Sequence, residues 1–289
     1  MRLLALTALT MVAFASNSIL NRMALAGGTI DPLSFGAIRL IAGAAALAGL
    51  AIALRGTLRL WGPGRWPGGI SLVVYMIGFS LAYAQLDAGL GALILFGVVQ
   101  ITMFAGALIG GHTPPPRRWL GAGLAFVGLV WLLWPVSGEN AQKISLWHGS
   151  LMAMAGVGWG IYSLTGRRST DALQSTAANF VLTAPLAGLL LAALWAFDAS
   201  EMPGAQGVAL AVLAGAVTSG MGYALWYAIL PRLDASLAAV AQLTVPVLAM
   251  AGGIVLLSEA LTPRFALASV IVLAGVALSA LPTRQTKSR

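Results

Sequence analysis

Long apolar runs alternate along this chain with short polar breaks. The runs fall at 3–26, 32–54, 68–86, 88–111, 119–136, 147–166, 173–197, 206–230, 235–257 and 265–282. Each comes near the roughly 20 apolar residues a helix needs to cross a bilayer. Helix is the conformation they predict, because a backbone in lipid has no water and must satisfy its own hydrogen bonds within the segment. The expected fold is an all-α integral membrane protein of ten transmembrane helices. The break between the third and fourth runs rests on Gln85, Asp87 and two glycines.

The polar breaks recur. Leu86-Asp87-Ala88 returns as Leu233-Asp234-Ala235, an offset that also pairs Gly106 with Gly253, Pro116 with Pro263, Arg117 with Arg264 and Gly128 with Gly275. Nearby offsets pair Asp31 with Asp171, Arg22 with Arg167 and Phe14 with Trp159. Five helices per copy is an odd number, so the second copy would lie inverted in the membrane. The repeats are expected at 1–137 and 145–283, followed by a basic tail at 284–289. Inverted repeats with a site at their interface are a carrier architecture. Met1-Arg2, Leu3 to Val12 and Ala13-Phe14-Ala15 also have the form of a secretory leader. Against that, the apolar stretch runs on to Ala26 and has its own counterpart at 147–166.

Composition agrees with a lipid-facing surface. Apolar residues make up 59% of the chain and charged residues 8%, where soluble chains are about a quarter charged. The net charge of +8 comes from basic residues scattered singly between apolar runs, which excludes a nucleic-acid patch. The absence of cysteine excludes disulfides and thiolate chemistry. Counting alternate ends, one side holds Arg2, Arg55, Arg59, Arg65, Arg117, Arg118, Arg167, Arg168, Arg232, Arg284, Lys287 and Arg289; the other holds Arg22, Lys143 and Arg264. Positive charge favours the cytoplasm, so both termini are expected there, in a multi-pass protein of the cell (inner) membrane.

Several interior residues are candidates for contact with a substrate. Tyr75, Phe79 and Tyr83 form one stripe of the third helix. Tyr223, Trp226 and Tyr227 cluster on the eighth, where Trp226 is the repeat equivalent of Phe79. Trp159 and Tyr162 lie on the sixth. Aromatic rings can wall a midplane cavity and stack on a substrate, or simply pack helices together. Asn17, Gln100 and Gln242 lie near their span centres. They are set to bind polar groups, or to link helices by hydrogen bonds worth about 0.6–2 kcal/mol. Arg39 lies about 10 Å into the second span. It is expected to snorkel outward, in a structural role or paired with Asp31 or Glu259 as an external gate. Pro246, inside the ninth helix, marks a hinge or a static kink. His112 and His148 lie at span ends and lack partners for a metal.

These features resemble the drug/metabolite transporter superfamily in its EamA-type branch. The carrying residues are Ala15-Ser16-Asn17-Ser18 in the first helix, Asp31-Pro32 through Arg39 opening the second, and Glu259 just before Thr262-Pro263. Length and aromatic content are most similar to the YddG-like aromatic amino acid exporters. The resemblance implies an exporter with a central cavity lined by helices 1–4 and 6–9. It also departs from the family pattern. Small multidrug relatives carry a membrane-embedded Glu in the first helix, where this chain has Ser16, Asn17 and Ser18.

The sequence therefore predicts a secondary transporter that exports small metabolites, amino acids including aromatic ones, by alternating access. Its partners would be an amino acid-like small molecule and the lipid bilayer. No catalytic residue, cofactor or metal site is expected. Export of another metabolite or a drug is the alternative, and a channel or membrane-embedded enzyme a more distant one. An enzyme would need clustered carboxylates or His/Glu pairs, and the eight acidic residues lie apart near span ends. A phosphate-binding loop for ATP is also missing.

Overall fold

A computed structural model of the chain describes residues 1–111, 115–134, 145–197, 202–233, 238, 241–242 and 244–280. His112, Glu139, Lys143, Asp198, Glu201, Asp234 and the tail at 284–289 lie outside the described residues. Helices account for the regular structure, and the described residues contain no strand.

The helices are α1 (Arg2–Ala26), α2 (Pro32–Arg55), α3 (Arg65–Tyr83), α4 (Ala88–Ile109), α5 (Pro116–Leu133), α6 (Leu146–Gly166) and α7 (Ala172–Phe197). They continue with α8 (Ala205–Arg232), α9 (Thr244–Leu257) and α10 (Pro263–Ala280). Six of them, α1 to α4, α7 and α8, are long and apolar enough to cross a membrane; Trp119–Leu132 in α5, Thr244–Leu257 in α9 and Pro263–Leu278 in α10 are shorter apolar stretches.

Local chemistry sets the ends. The Asp31 side chain accepts the Ser34 N–H at 2.8 Å and Pro32 occupies the first turn of α2, so an orphan donor is satisfied and the missing proline N–H costs nothing there. Gly56, at φ 69°, closes the same helix. Gly64, at φ 76°, turns the chain into α3, which begins and ends about three residues earlier than the hydrophobic run. Between α3 and α4 the helix stops at Tyr83 and restarts after Asp87, as the polar break predicted.

The eighth helix is not uniform. Ala214–Met221 winds as a π-helix between two α-helical stretches. The wider turn redirects Thr218 and Ser219 and is a form concentrated at functional sites. Pro185 lies within α7; removing one backbone hydrogen bond there is tolerable where neighbouring groups can compensate.

The most extensive helix pairings are α3 with α6, α5 with α10, α2 with α7 and α8, α1 with α8, and α4 with α6. Small residues let these backbones approach. A Cβ added at Gly158 would come within 2.7 Å of the Ser71 carbonyl oxygen, and one at Gly215 would overlap the carbonyl of Arg39. Gly215→Val is therefore expected to lower thermal stability and cut membrane abundance at least fivefold, since forced overpacking costs about 1–3 kcal/mol or more. Gly49→Val, where a Cβ meets nothing within 4 Å, is the control and should leave both unchanged. Equal behaviour of the two variants would show that the α2–α8 approach is not sterically tight.

Large apolar side chains cover the outside, among them Trp119, Leu120, Phe126 and Val127 on α5 and Leu186 and Leu189 on α7. Such continuous apolar exposure fits a lipid environment.

Candidate functional site

The bundle interior is aromatic. Phe14, Tyr75, Phe79, Trp159, Tyr223 and Trp226 are all at most 4% exposed. Phe14 stands among them, 5.3 Å from Trp159, 5.8 Å from Tyr223 and 5.7 Å from Trp226 by ring centroids. Trp159 lies 5.0 Å from Tyr75 and 4.5 Å from Tyr223. Most of these contacts are edge-on or tilted, the arrangements ring quadrupoles favour. One group of rings comes from α1 and α3 and the other from α6 and α8, so helices of both halves of the chain close on one point.

A polar core lies against these rings. The Asn17 amide donates to the hydroxyls of Tyr75 (3.2 Å) and Tyr223 (3.0 Å), which are 2.8 Å from each other. Its carbonyl oxygen accepts from Thr218 (3.2 Å) and Ser219 (3.4 Å) on the π-helical turn. Arg39 reaches the same centre. It is fully buried, donates from Nε to Ser219 Oγ at 2.8 Å, and donates from Nη2 to Tyr75 at 3.1 Å and Tyr223 at 2.7 Å. Its guanidinium lies over the rings of Phe79 (4.8 Å) and Tyr75 (5.4 Å).

The outward-snorkelling Arg39 expected from sequence is thus corrected. The side chain points into the bundle, where hydroxyls and ring faces replace water around its charge. Of the two partners expected for it, Glu259 pairs instead with Arg22 and Asp31 accepts the Ser34 N–H.

Asn17, Tyr75, Phe79, Trp159 and Tyr223 border one residual space together with Phe14, Ser18, Leu95 and Phe96. That space has about 10 Å³, room for at most a single water. A ligand site takes about 300–1,000 Å³, so this arrangement is closed. The other aromatic candidates stand around it. Trp226 backs Phe14, Tyr162 stacks on Trp159, Tyr227 donates to the Tyr162 carbonyl, and Tyr83 donates to the Ala88 carbonyl. Gln100 and Gln242 do not border the space; Gln242 donates to the carbonyl of Ala238, four positions back, at 3.4 Å. Pro246 is buried near the start of α9.

A second polar cluster closes one end of the bundle. Arg22 sits 3.6 Å from Asp87 and 3.5 Å from Glu259. Both Glu259 oxygens accept the Ala88 N–H at 2.9 Å, so this carboxylate caps α4 from another helix pair, where the helix dipole favours an anion. Ser258, at φ 55°, makes the turn that brings Glu259 back, and the Glu259 N–H bonds to the Gly253 carbonyl at 3.1 Å. Burial pushes the Glu259 carboxyl above its ordinary value; the Ala88 N–H opposes this, Asp87 adds to it, and Arg22 opposes it. At the far end of α2, Arg55 lies 3.3 Å from Asp171. Among the described residues, no three His, Asp or Glu side chains group as a metal site would require.

Apolar helices of spanning length, an apolar outer surface and a closed polar and aromatic interior define a multi-pass membrane protein with an internal site. Residues 146–281 match the EamA-like transporter family. Across 97% of the chain and 95% of the relative, it is 44% identical to an uncharacterized protein of Pseudomonas aeruginosa. It is also 28% identical to the uncharacterized transporter YwfM of Bacillus subtilis, over 91% of the chain and 89% of the relative. One protein crystal structure shares the fold with a TM-score of 0.65 at 22% identity, covering 93% of this chain and 96% of that one. Residues 146–281 thus carry an EamA-like transporter family domain, which points to a membrane transporter of small molecules.

Proposed function

We propose that this chain is a secondary carrier that exports amino acids, aromatic ones included, across the cell's inner membrane by alternating access. The observation that carries the proposal is the buried convergence of aromatic rings with Asn17, Tyr75 and Tyr223 at one residual space. Rings supply apolar contact for a side chain, and the amide and hydroxyls orient the polar end. In this reading ten spans form two inverted repeats, 1–137 and 145–283, with both termini cytoplasmic.

The helix contacts support the repeat. Exchanging the halves turns α2·α7, α5·α10 and α4·α9 into themselves, α3·α6 into α8·α1, and α4·α6 into α9·α1; all are contacts of this fold. The site then lies on the pseudo-two-fold axis, where carriers of this architecture bind. Closure of the centre suits an occluded step of the cycle.

The test is exchange of labelled metabolites by liposomes holding the purified protein. Saturable counterflow of phenylalanine, tryptophan or another amino acid is expected. Transport should follow the substrate gradient without an imposed pH gradient, because the spans carry no deep carboxylate. Exchange of other metabolites with none of any amino acid would overturn the assignment.

A further inference from the structure

We propose that Arg39 is the specificity-determining residue of this site, recognising a single carboxylate on the substrate, and that the substrate's ammonium group is dispensable. The proposal rests on the carrier reading above and names the chemical class that the central site accepts.

The argument is a count of donors and acceptors. Arg39 Nη2 and the Asn17 amide each donate to both tyrosine hydroxyls. A phenolic oxygen offers two acceptor positions, so both tyrosines are filled. They also stand 2.8 Å apart, and the proton that one directs at the other meets an oxygen already occupied. The Asn17 carbonyl is taken by Thr218 and Ser219, and Ser219 in turn accepts from Arg39 Nε. Arg39 Nη1 is buried and has no hydrogen-bond partner among the described residues. Around Arg39 and the two tyrosines, polar hydrogens therefore outnumber the lone pairs that receive them.

It also has a surplus of charge. Among the described residues no carboxylate pairs with Arg39; the acidic side chains that form ion pairs serve Arg22 and Arg55. A buried guanidinium without an anion is strongly unfavourable, and the ring faces of Phe79 and Tyr75 offset only part of the cost. One planar carboxylate supplies what is lacking: a negative charge and four lone-pair positions matched to the guanidinium fork. Tyr75 and Tyr223 border the residual space and Arg39 does not, so in the closed arrangement their hydroxyls take the guanidinium donors that the anion would use. One guanidinium matches one negative charge, which favours a monocarboxylate over a phosphate dianion. The rings that border the same space, Phe14 and Trp159, favour an aromatic or bulky apolar remainder. Among the described residues nothing anionic borders the space to await an ammonium group.

The experiment is competition against labelled phenylalanine counterflow in liposomes holding the full chain. Three unlabelled probes are phenylacetate (no ammonium), phenylalanine methyl ester (no carboxylate) and phenethylamine (no carboxyl group). Phenylacetate is expected to compete within threefold of phenylalanine, and the ester and amine at least tenfold more weakly. In Arg39→Gln the advantage of acid over ester should collapse to less than twofold, and Arg39→Lys should retain part of it. The wild-type series needs no variant, so misfolding of Arg39→Gln cannot hide the answer. Equal competition by ester, amine and acid would sink the anchor while leaving the carrier reading in place. An acid preference unchanged in Arg39→Gln would do the same. Absence of any aromatic counterflow would sink both.

Discussion

Phe79→Leu should reduce aromatic counterflow per folded molecule at least tenfold, while Trp226→Ala should reduce the amount of folded protein and leave counterflow per molecule unchanged. In the proposed repeat the two residues are equivalents, and the sequence gives no reason to separate them. Their surroundings do. Phe79 borders the residual space and faces the Arg39 guanidinium at 4.8 Å. Leucine keeps most of its volume, so the stability cost stays below about 1.5 kcal/mol, but the π-face toward cation and substrate is lost. Trp226 is fully buried behind Phe14. Truncating it to alanine leaves a cavity worth about 3–5 kcal/mol, which falls on folding. Thermal melting and membrane abundance measured beside counterflow separate the effects. Normal counterflow in Phe79→Leu would make that ring a packing residue only. Lost counterflow in Trp226→Ala at full abundance would place the second ring at the substrate too.

Much of this arrangement is legible in the chain, and the part that is not has a physical cause. Asp31-Pro32 announces the start of α2, and Gln85 to Asp87 the gap before α4, because caps and breaks are local chemistry. The aromatic stripe of α3 and the Asn17 amide point inward as expected, since burial of polar and aromatic groups follows helix periodicity. Arg39 was misplaced because distance along a helix measures depth from the helix end. It does not say whether the side chain turns toward lipid, headgroups or a neighbour. Its partners are separated from it by 36, 180 and 184 positions, beyond any local pattern. A usable signal existed, because Arg39 is the one charge well inside a span and has no acid one turn away on its own helix. The π-helical turn of α8 was equally invisible. Gly215 and Gly220 mark it only once Arg39 and Leu47 are known to press against them. Gln100 and Gln242 satisfy the same sequence criterion as Asn17, yet do not border the space that Asn17 borders. Polarity at a span centre identifies a buried group and leaves its direction open.

Removing the Glu259 side chain should open the end of the bundle that Arg22 closes. Glu259 performs two tasks there: it accepts the first free N–H of α4 through both oxygens at 2.9 Å and holds Arg22 at 3.5 Å. Asp87 alone, at 3.6 Å from Arg22, cannot tie α9 and α10 to α1, because it belongs to the turn before α4. In Glu259→Ala the interhelix cap vanishes, and a cap is worth about 0.5–2 kcal/mol. The arginine also loses one of two anions, a change of the same order for partly buried pairs. A shift of about 1.4 kcal/mol moves a two-state equilibrium tenfold. The cysteine-free chain allows a direct measurement. A Ser18→Cys substitution places one thiol at the edge of the residual space. In detergent, maleimide labelling of that thiol is expected to run at least tenfold faster with Glu259→Ala than without it. Glu259→Gln should lie between, since its amide oxygen still caps Ala88 but offers Arg22 no charge. Equal labelling rates with and without Glu259 would show that α1, α4 and the α9–α10 turn are held shut by packing alone.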